Sequence, residues 1–350
     1  MSQRSQFLVS ILIIFVILLA LAIHFLFFLE SYVDTPTTAD LNSPYRLNAR
    51  IIRFRAMDSV IAGTSMSKNF KCSEFDKITG GHSYKLTVPG GEVPKTCRIV
   101  DFACRRHEIR AVLIDLHTRF LMVAPPEKQW VDDRYYSDNS LLGDLLDGAS
   151  FWSLKDRRKY YAVRLDGKKP ASTWSRDEIY CNTDPCGKQY LAREILTGNW
   201  KIILHRPNPV FLAGNIDDHL LPLFRNHPQT TFYLFLPPFS PFAYIGYEEW
   251  TRQARKAAMD RFLPLPNVKL YDFQGVSEIC TNYDNYKDIT HYSMEISQWI
   301  LEQIKADNHR VTPLNRRIFE KRFDDMLKSF DAEKELERMR QYSREHPVSR

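Results

Sequence analysis

The chain has 350 residues, enough for one large domain or two modest ones, and 44% of them are apolar, a proportion typical of a packed globular core rather than of a disordered chain. Its formal net charge of +6 is small, and acidic and basic residues are interspersed along the sequence. No concentrated basic face therefore points to nucleic acid as a partner.

The N-terminal region contains an apolar run from Phe7 to Leu29, interrupted only by Ser10 and His24. As a helix with a rise of about 1.5 Å per residue, this run would cross the roughly 30 Å apolar core of a bilayer. We therefore predict a transmembrane helix. A cleavable signal peptide is the alternative, but its apolar region would be about 7–15 residues long, and residues 32–40 contain no A-x-A-like cleavage site.

Charges that flank this run set its predicted orientation. Arg4 precedes it, whereas Glu30 and Asp34 follow it. The positive-inside rule then puts the N-terminus in the cytoplasm and the main domain on the extracytoplasmic side of the cell membrane, as a single-pass protein. The predicted parts are a cytoplasmic tip and anchor (1–30), a polar stalk (31–44), an α/β domain (45–310) and a charged amphipathic C-terminal helix and tail (311–350).

Short apolar runs alternate with longer segments in which apolar residues recur every three or four positions. Such alternation predicts a doubly wound, mostly parallel sheet, here with five strands in a flavodoxin-like order. The predicted strands are Ser59–Ala62, Tyr84–Val88, Ala111–Leu116, Thr231–Leu236 and Val268–Phe273. The predicted helices are Cys97–Arg106, Ile216–Asn226, Tyr247–Phe262 and Tyr292–Lys305.

Two regions depart from this alternation. Residues 120–210 are rich in Tyr, Trp, Lys and Arg and are interpreted as an insertion, which either forms a lid over the strand ends or packs on the core as elaborated surface. Residues 314–342 carry an apolar stripe among alternating charges, which predicts an amphipathic helix. We expect this helix to pack on its own domain, with a partner or a membrane surface as the alternative.

The six cysteines could pair in an oxidising compartment, and Cys181 with Cys186 is the predicted local disulfide. The cysteines form no C-x-x-C pair. We therefore expect neither a metal site nor a cofactor.

The turn after the first predicted strand is a candidate site, because ligands of open α/β sheets bind at the carboxyl ends of the strands. Ser65 lies just beyond Gly63 in the sequence GTSMSKNF and is predicted to begin a helix. The N–H groups of a helix N-terminus would stabilise an oxyanion formed by attack of Ser65. The alternative is that Ser65 or Ser67 only caps the helix.

A nucleophilic serine needs a base, and the base needs an orienting carboxylate. Asp288 and His291 follow the last predicted strand and precede the last predicted helix, so their loop can reach the same edge of the sheet as Ser65. This spacing lets the carboxylate approach His291 Nδ1 while Nε2 faces the serine. In the alternative, Asp288 or Thr290 caps the helix and His291 is an ordinary helix residue.

A third segment, VPGG, follows the second predicted strand, where glycine N–H groups could supply part of an oxyanion hole, although Pro-Gly-Gly is also a common turn sequence. Together these segments resemble the SGNH (GDSL-like) hydrolase superfamily, especially its membrane-anchored branch of extracytoplasmic proteins that modify polysaccharides and teichoic acids. The resemblance covers residues 58–305 and rests on four blocks in the superfamily's order: GTSMSKNF (63–70), VPGG (88–91), FLPPFS (235–240) and NYKDITHYS (285–293).

This resemblance implies a role for each matched residue. Ser65 would be the nucleophile, His291 the general base and Asp288 its orienting carboxylate. The N–H groups of Ser65 and Gly90 would be the oxyanion donors.

Two blocks depart from the superfamily's pattern. Gly-Asp-Ser is Gly-Thr-Ser here, and the Gly-x-Asn-Asp block after the third strand is replaced by IDLHTR at residues 114–119. The side-chain oxyanion donor is therefore unassigned. Asn215 is a candidate, with a helix cap as the alternative. Asp115 and His117 are possible site residues near a strand end, with a structural role favoured.

The resulting hypothesis is a membrane-anchored extracytoplasmic serine esterase or O-acyltransferase that acts on a cell-envelope glycan or glycolipid through an acyl-Ser65 intermediate. A membrane protein that delivers acyl groups is a further candidate partner. The alternative is a non-catalytic scaffold or binding protein of an envelope polysaccharide assembly. Phosphate binding at residues 63–67 is disfavoured, because neither G-x-x-x-x-G-K-[ST] nor G-x-G-x-x-G occurs there.

Overall fold

A computed structural model describes residues 7, 9–19, 44–117, 121, 136, 175–181, 184–197 and 213–346 of the chain. The chain forms two compact units, residues 1–55 with 137–174 and residues 56–136 with 175–350. The predicted stalk (31–44), apart from its last residue, and most of the predicted insertion (120–210) lie outside the described residues.

Two helical segments are described in the first unit. Residues 9–19 are helical with exposed side chains, and helix α1 spans Pro44–Phe54. Across the described ranges, no helix combines the length and the apolar character needed to cross a membrane. Residues 20–29 of the predicted span lie outside those ranges.

The second unit is built on a six-stranded sheet in the order β2-β1-β3-β4-β5-β6. The five strands predicted from the sequence are all present and parallel to one another, in the flavodoxin-like order. A sixth strand of two residues pairs antiparallel with β5 and was not predicted, because so short a segment carries no pattern. The strands are β1 Ser59–Gly63, β2 Ser83–Thr87, β3 Ala111–Asp115, β4 Thr231–Leu236, β5 Val268–Asp272 and β6 Arg310–Val311.

Helices connect the strands, as the alternation predicted. The predicted helix Ile216–Asn226 is a π-helical segment, Asn215–Leu220, continued by an α-helix. The remaining predicted helices are present with bounds shifted by a few residues. The α-helices of the second unit are α2 Cys72–Thr79, α3 Val93–Arg106, α4 Lys188–Thr197, α5 Leu221–Asn226, α6 Glu248–Phe262, α7 Ser277–Cys280, α8 Met294–Lys305, α9 Arg316–Ser329 and α10 Ala332–Glu345.

Helices cover both faces of the sheet. On one face, Phe235 of β4 belongs to a buried cluster that also contains Phe75 of α2 and Ile300 of α8. On the other face, Phe232 of β4 packs against Phe224 of α5 with ring centroids 4.6 Å apart. Successive strand residues point to opposite faces, so burial on both faces explains why β1, β3 and β4 are nearly continuous apolar runs.

The C-terminal region forms two helices, whereas the sequence predicted one. Helix α9 ends at Ser329, and Asp331 begins α10 by accepting a hydrogen bond from the N–H of Lys334 at 3.0 Å. Phe323 of α9 and Met339 of α10 belong to the same buried cluster as the sheet. The predicted apolar stripe therefore packs on the protein's own domain.

The predicted disulfide between Cys181 and Cys186 is wrong, because all six cysteines are free. Cys181 Sγ lies 3.2 Å from Nζ of the fully buried Lys85 and 2.7 Å from the carbonyl oxygen of Asp177. Cys186 instead lines a cavity beside Ser65, which is described below with the candidate active site. The two thiols thus lie in different surroundings although they are close in sequence.

Candidate active site

Strand β1 carries Ser65 to the carboxyl edge of the sheet, two residues beyond the strand's end at Gly63. The predicted helix does not begin at Ser65. Residues 64–69 form a bend and turns, and α2 begins only at Cys72. The prediction that the N-terminus of this helix faces the serine is therefore wrong.

Asp115, at the end of β3, holds this turn in place. Its carboxylate accepts hydrogen bonds from the N–H and the hydroxyl of Thr64, at 2.7 and 2.8 Å, and from the hydroxyl of Ser67 at 2.6 Å. Asp115 is fully buried, and burial raises the pKa of its carboxyl against the opposite effect of these donors. Asp115, a possible site residue by sequence, thus supports the Ser65 turn and does not line the cavity.

The loop between β5 and α8 brings Asp288 and His291 to Ser65. Asp288 Oδ1 accepts hydrogen bonds from the N–H groups of Thr290 and His291, at 2.9 and 2.8 Å, so the carboxylate shapes its own loop. Asp288 Oδ2 lies 2.6 Å from His291 Nδ1, and His291 Nε2 lies 2.8 Å from Ser65 Oγ. The three residues expected from the sequence therefore form one continuous hydrogen-bonded chain.

The ionisation of Asp288 sets the tautomer of His291. Burial raises the pKa of this carboxyl, but hydrogen bonds and charge from His291, with a further bond from the Thr290 N–H, outweigh burial and lower the pKa to about 2. An ionised carboxylate only accepts hydrogen bonds, so His291 Nδ1 carries the proton that is donated to Asp288. Nε2 then faces the Ser65 hydroxyl and, without a proton, can accept a hydrogen bond from it, as a general base requires.

Two further contacts fix the histidine loop relative to the serine turn. The hydroxyl of Tyr292 donates to the carbonyl oxygen of Met66 at 2.9 Å. Beyond β4, the N–H and hydroxyl of Ser240 both donate to the carbonyl oxygen of Ile289, at 3.2 and 3.1 Å. The FLPPFS block therefore supports the loop that presents His291.

Ser65 and His291 open into a cavity of about 490 Å³ that lies within the second unit. Sequence reasoning missed most of its walls. Lys68 and Asn69 could have been noticed, since they follow Ser65 directly in the same motif. The wall at 184–186 comes from the predicted insertion, and no spacing pattern linked it to Ser65. The lining residues are Ser65, Met66, Lys68, Asn69, Asp184, Pro185, Cys186, Asp284, Asn285, Lys287, His291, Tyr292, Ser293, Met294 and Glu295.

The other site residues expected from the sequence lie outside the lining of this cavity. Gly90 is exposed in the turn after β2, with φ of +67°. Asn215 is buried in the π-helical segment, which packs against α3. His117 is half-buried, with its ring centroid 6.1 Å from that of Phe239.

The N–H of Ser65 remains as a candidate oxyanion donor. Within the described part of the chain, it donates to no other group. It would therefore be available to an oxygen that became negatively charged if Ser65 attacked a carbonyl carbon.

No family model matches the chain, and no curated protein matches it. Among solved structures, it is similar to one described as "The structure of a putative platelet activating factor from Streptococcus pneumonia", at 9% sequence identity and a TM-score of 0.39, over 82% of this chain and 98% of that one. Similarity at this level supports no functional inference. The geometry of the site is therefore the basis for assigning a function.

Proposed function

We propose that this chain is a serine esterase or O-acyltransferase that works through an acyl-Ser65 intermediate. The observation that carries the proposal is the hydrogen-bonded chain from Ser65 through His291 to Asp288, with contacts of 2.8 and 2.6 Å. Such a chain lets the imidazole accept the serine proton while the bond to the substrate forms. Membership of the SGNH superfamily is part of the same proposal and is supported by the four sequence blocks and their order.

In the first half-reaction, Ser65 Oγ attacks the carbonyl carbon of an ester, and its proton passes to His291 Nε2. The Ser65 N–H donates to the resulting oxyanion. The bond to the alcohol oxygen then breaks, and the departing alcohol takes the proton from His291. Asp288 stays ionised and stabilises the imidazolium.

In the second half-reaction, a hydroxyl compound gives its proton to His291 Nε2 and attacks the acyl-serine. Water as the attacking group yields a free acid, whereas an acceptor alcohol yields a new ester. Ser65 recovers its proton from His291 as the bond to the acyl group breaks. The two activities therefore share one site and differ in whether water is excluded from the acyl-serine.

We further propose that the chain acts at the cell membrane on a cell-envelope glycan or glycolipid. The support is the apolar run of residues 7–29, which is long enough to anchor the domain near envelope polymers and near a membrane partner that delivers acyl groups. The full chain should stay in the membrane fraction after an alkaline wash, and a variant lacking residues 1–30 should not. Recovery of the full chain in the soluble fraction would contradict the anchor.

Labelling with a fluorophosphonate tests the nucleophile. The label should be found on Ser65 by peptide mass and should be lost in Ser65→Ala. His291→Ala should slow labelling by roughly 100-fold or more, because it removes the general base. Ser277→Ala and His82→Ala are matched controls that remove an exposed serine and an exposed histidine, and both should be labelled at the wild-type rate.

A folded protein that resists labelling would contradict catalysis. That result would favour the alternative function, a non-catalytic scaffold or binding protein of an envelope polysaccharide assembly. Circular dichroism establishes that the protein is folded. For a labelled protein, incubation of an activated ester with excess alcohol separates the two activities, since hydrolysis yields the acid and transfer yields the new ester.

A further inference from the structure

We propose that Lys68 binds a negatively charged group, a carboxylate or a phosphate, on the substrate of the Ser65 site. This inference rests on the proposed function and names the class of substrate that the site selects. Lys68 lies three residues after Ser65, and its side chain lines the same cavity as Ser65 and His291. An anion bound to Lys68 would therefore share the cavity with the ester under attack.

The ammonium group of Lys68 forms no ion pair within the described part of the chain. Among the residues that the structure describes, none forms a hydrogen bond or an ion pair with its Nζ. The second lysine of the cavity, Lys287, is paired with Asp184. Burial lowers the pKa of Lys68, and the charge of Lys287 adds to this effect, while Asp184 and Asp288 oppose it. A half-buried cation beside a second cation is stabilised when an anion approaches it.

The remaining carboxylates that line the cavity have other partners. Asp284 accepts a hydrogen bond from the N–H of Lys188 at 2.9 Å. A hydrogen bond from the side chain of Ser293 lowers the pKa of Glu295. Neither carboxylate forms an ion pair with Lys68 in the described structure, so within that part of the chain the Lys68 ammonium group is open to an anion from a substrate.

The backbone at Lys68 is held in place from the protein interior. Its carbonyl oxygen accepts a hydrogen bond at 3.1 Å from the ammonium group of Lys85, which is fully buried in β2. The same ammonium group donates to the carbonyl oxygen of Asp177 at 2.6 Å. The turn therefore presents Lys68 at a defined place beside Ser65, as selective binding of a charged group requires.

Three esters test the inference by comparison of kcat/KM. These are the neutral para-nitrophenyl acetate, para-nitrophenyl hydrogen succinate with a carboxylate on the acyl side, and para-acetoxyphenyl phosphate with a phosphate on the alcohol side. The wild-type protein should prefer at least one anionic ester to the neutral one, and Lys68→Met should reduce that preference roughly 10- to 100-fold, chiefly through KM. The ester that responds tells whether a carboxylate or a phosphate is bound.

Two variants serve as controls for this comparison. Lys68→Arg keeps the positive charge and should retain most of the preference for the anionic ester. Lys256→Met removes an exposed lysine of α6 and should keep the full preference for the anionic ester. A preference that Lys68→Met leaves unchanged in an active protein would overturn the role of Lys68 without affecting that of Ser65.

Binding without turnover separates this inference from the proposed function. Calorimetric titration of Ser65→Ala with succinate and with phenyl phosphate should detect binding of at least one anion, and Lys68→Met should weaken it about 10-fold or more. If the anion binding depends on Lys68 but the wild-type protein hydrolyses or transfers none of the esters, the anion site would be supported and the proposed function would be overturned. Absence of both turnover and Lys68-dependent binding would overturn both.

Discussion

Asp115 occupies the space that a side chain at position 63 would need, because a Cβ added to Gly63 would lie 2.0 Å from Asp115 Oδ1. Gly63 also has φ of +114°, a conformation that residues with a Cβ adopt only with strain. The glycine and the buried aspartate together set the shape of the tight turn that carries Ser65.

Gly63→Ala should therefore disrupt the Ser65 turn. The new Cβ would displace a carboxylate that accepts three hydrogen bonds, so we expect a loss of roughly 3 kcal/mol or more in the free energy of unfolding and slower fluorophosphonate labelling. Gly80→Ala is the control, since Gly80 has φ of +66° but nothing within 4 Å of an added Cβ. Gly80→Ala should lower the free energy of unfolding by only about 1–2 kcal/mol. If denaturant unfolding showed the same loss for Gly63→Ala as for Gly80→Ala, the steric role of Asp115 would be contradicted.

Asp115→Ala should be more damaging than Asp115→Asn. Alanine leaves two donors of Thr64 and one of Ser67 without an acceptor inside the protein, with an expected loss of roughly 2–4 kcal/mol. Asparagine keeps the shape and one acceptor oxygen, so its loss should be smaller. Asp325→Ala, which removes an exposed carboxylate of α9, is the control for denaturant unfolding. If Asp115→Ala lowered the free energy of unfolding no more than Asp325→Ala does, the turn would not depend on Asp115.

Protonation of Asp288 should make the protein less stable in acid. Its pKa is lowered on folding from an ordinary value of 3.8 to about 2, so its contribution is fully present above the ordinary pKa and is lost as the pH falls through the folded value. A shift of this size corresponds to roughly 2 kcal/mol. Urea unfolding between about pH 5 and 2 should show a steeper fall for the wild type than for Asp288→Asn. Equal slopes would contradict the lowered pKa.

Apolar patterning was sufficient to predict the parallel strands, whose ends all lie within one residue of the predicted ones. Strands β1, β3 and β4 are buried, nearly continuous apolar runs, which is the local signal from which buried strands are predicted. The contact between Ser65 and His291 was also predictable, because both residues follow strands of one parallel sheet and the carboxyl ends of such strands meet at one edge.

Interactions between residues distant in sequence account for the features that were not predicted. Ser65 looked like the start of a helix, but hydrogen bonds from Thr64 and Ser67 to Asp115 hold the segment as turns up to Cys72. The spacing of Cys181 and Cys186 allows a local disulfide, yet Lys85 lies against the Cys181 thiol. Local propensity carries no information about such contacts.

Arg255 connects α6 and α9 to the end of the sheet. Its guanidinium lies 2.6 Å from Asp272 of β5, and the two side chains are only 4% and 1% exposed. The same group donates to the carbonyl oxygen of Phe319 in α9 at 3.2 Å and lies 4.3 Å from the ring centroid of Phe323. The C-terminal helices are thus joined to the core by a buried charge as well as by apolar contacts.

Arg255→Met should consequently lower the free energy of unfolding by roughly 3–5 kcal/mol, because it leaves the Asp272 carboxylate buried without its cation. Lys321→Met is the matched control, since it breaks an ion pair with Asp325 in which the side chains are 75% and 52% exposed. Lys321→Met should lower the free energy of unfolding by less than about 1 kcal/mol. Adding Asp272→Asn to Arg255→Met should recover part of the loss, because no unpaired charge then remains buried. If Arg255→Met lost no more stability than Lys321→Met in denaturant unfolding, apolar packing alone would hold the C-terminal helices on the sheet.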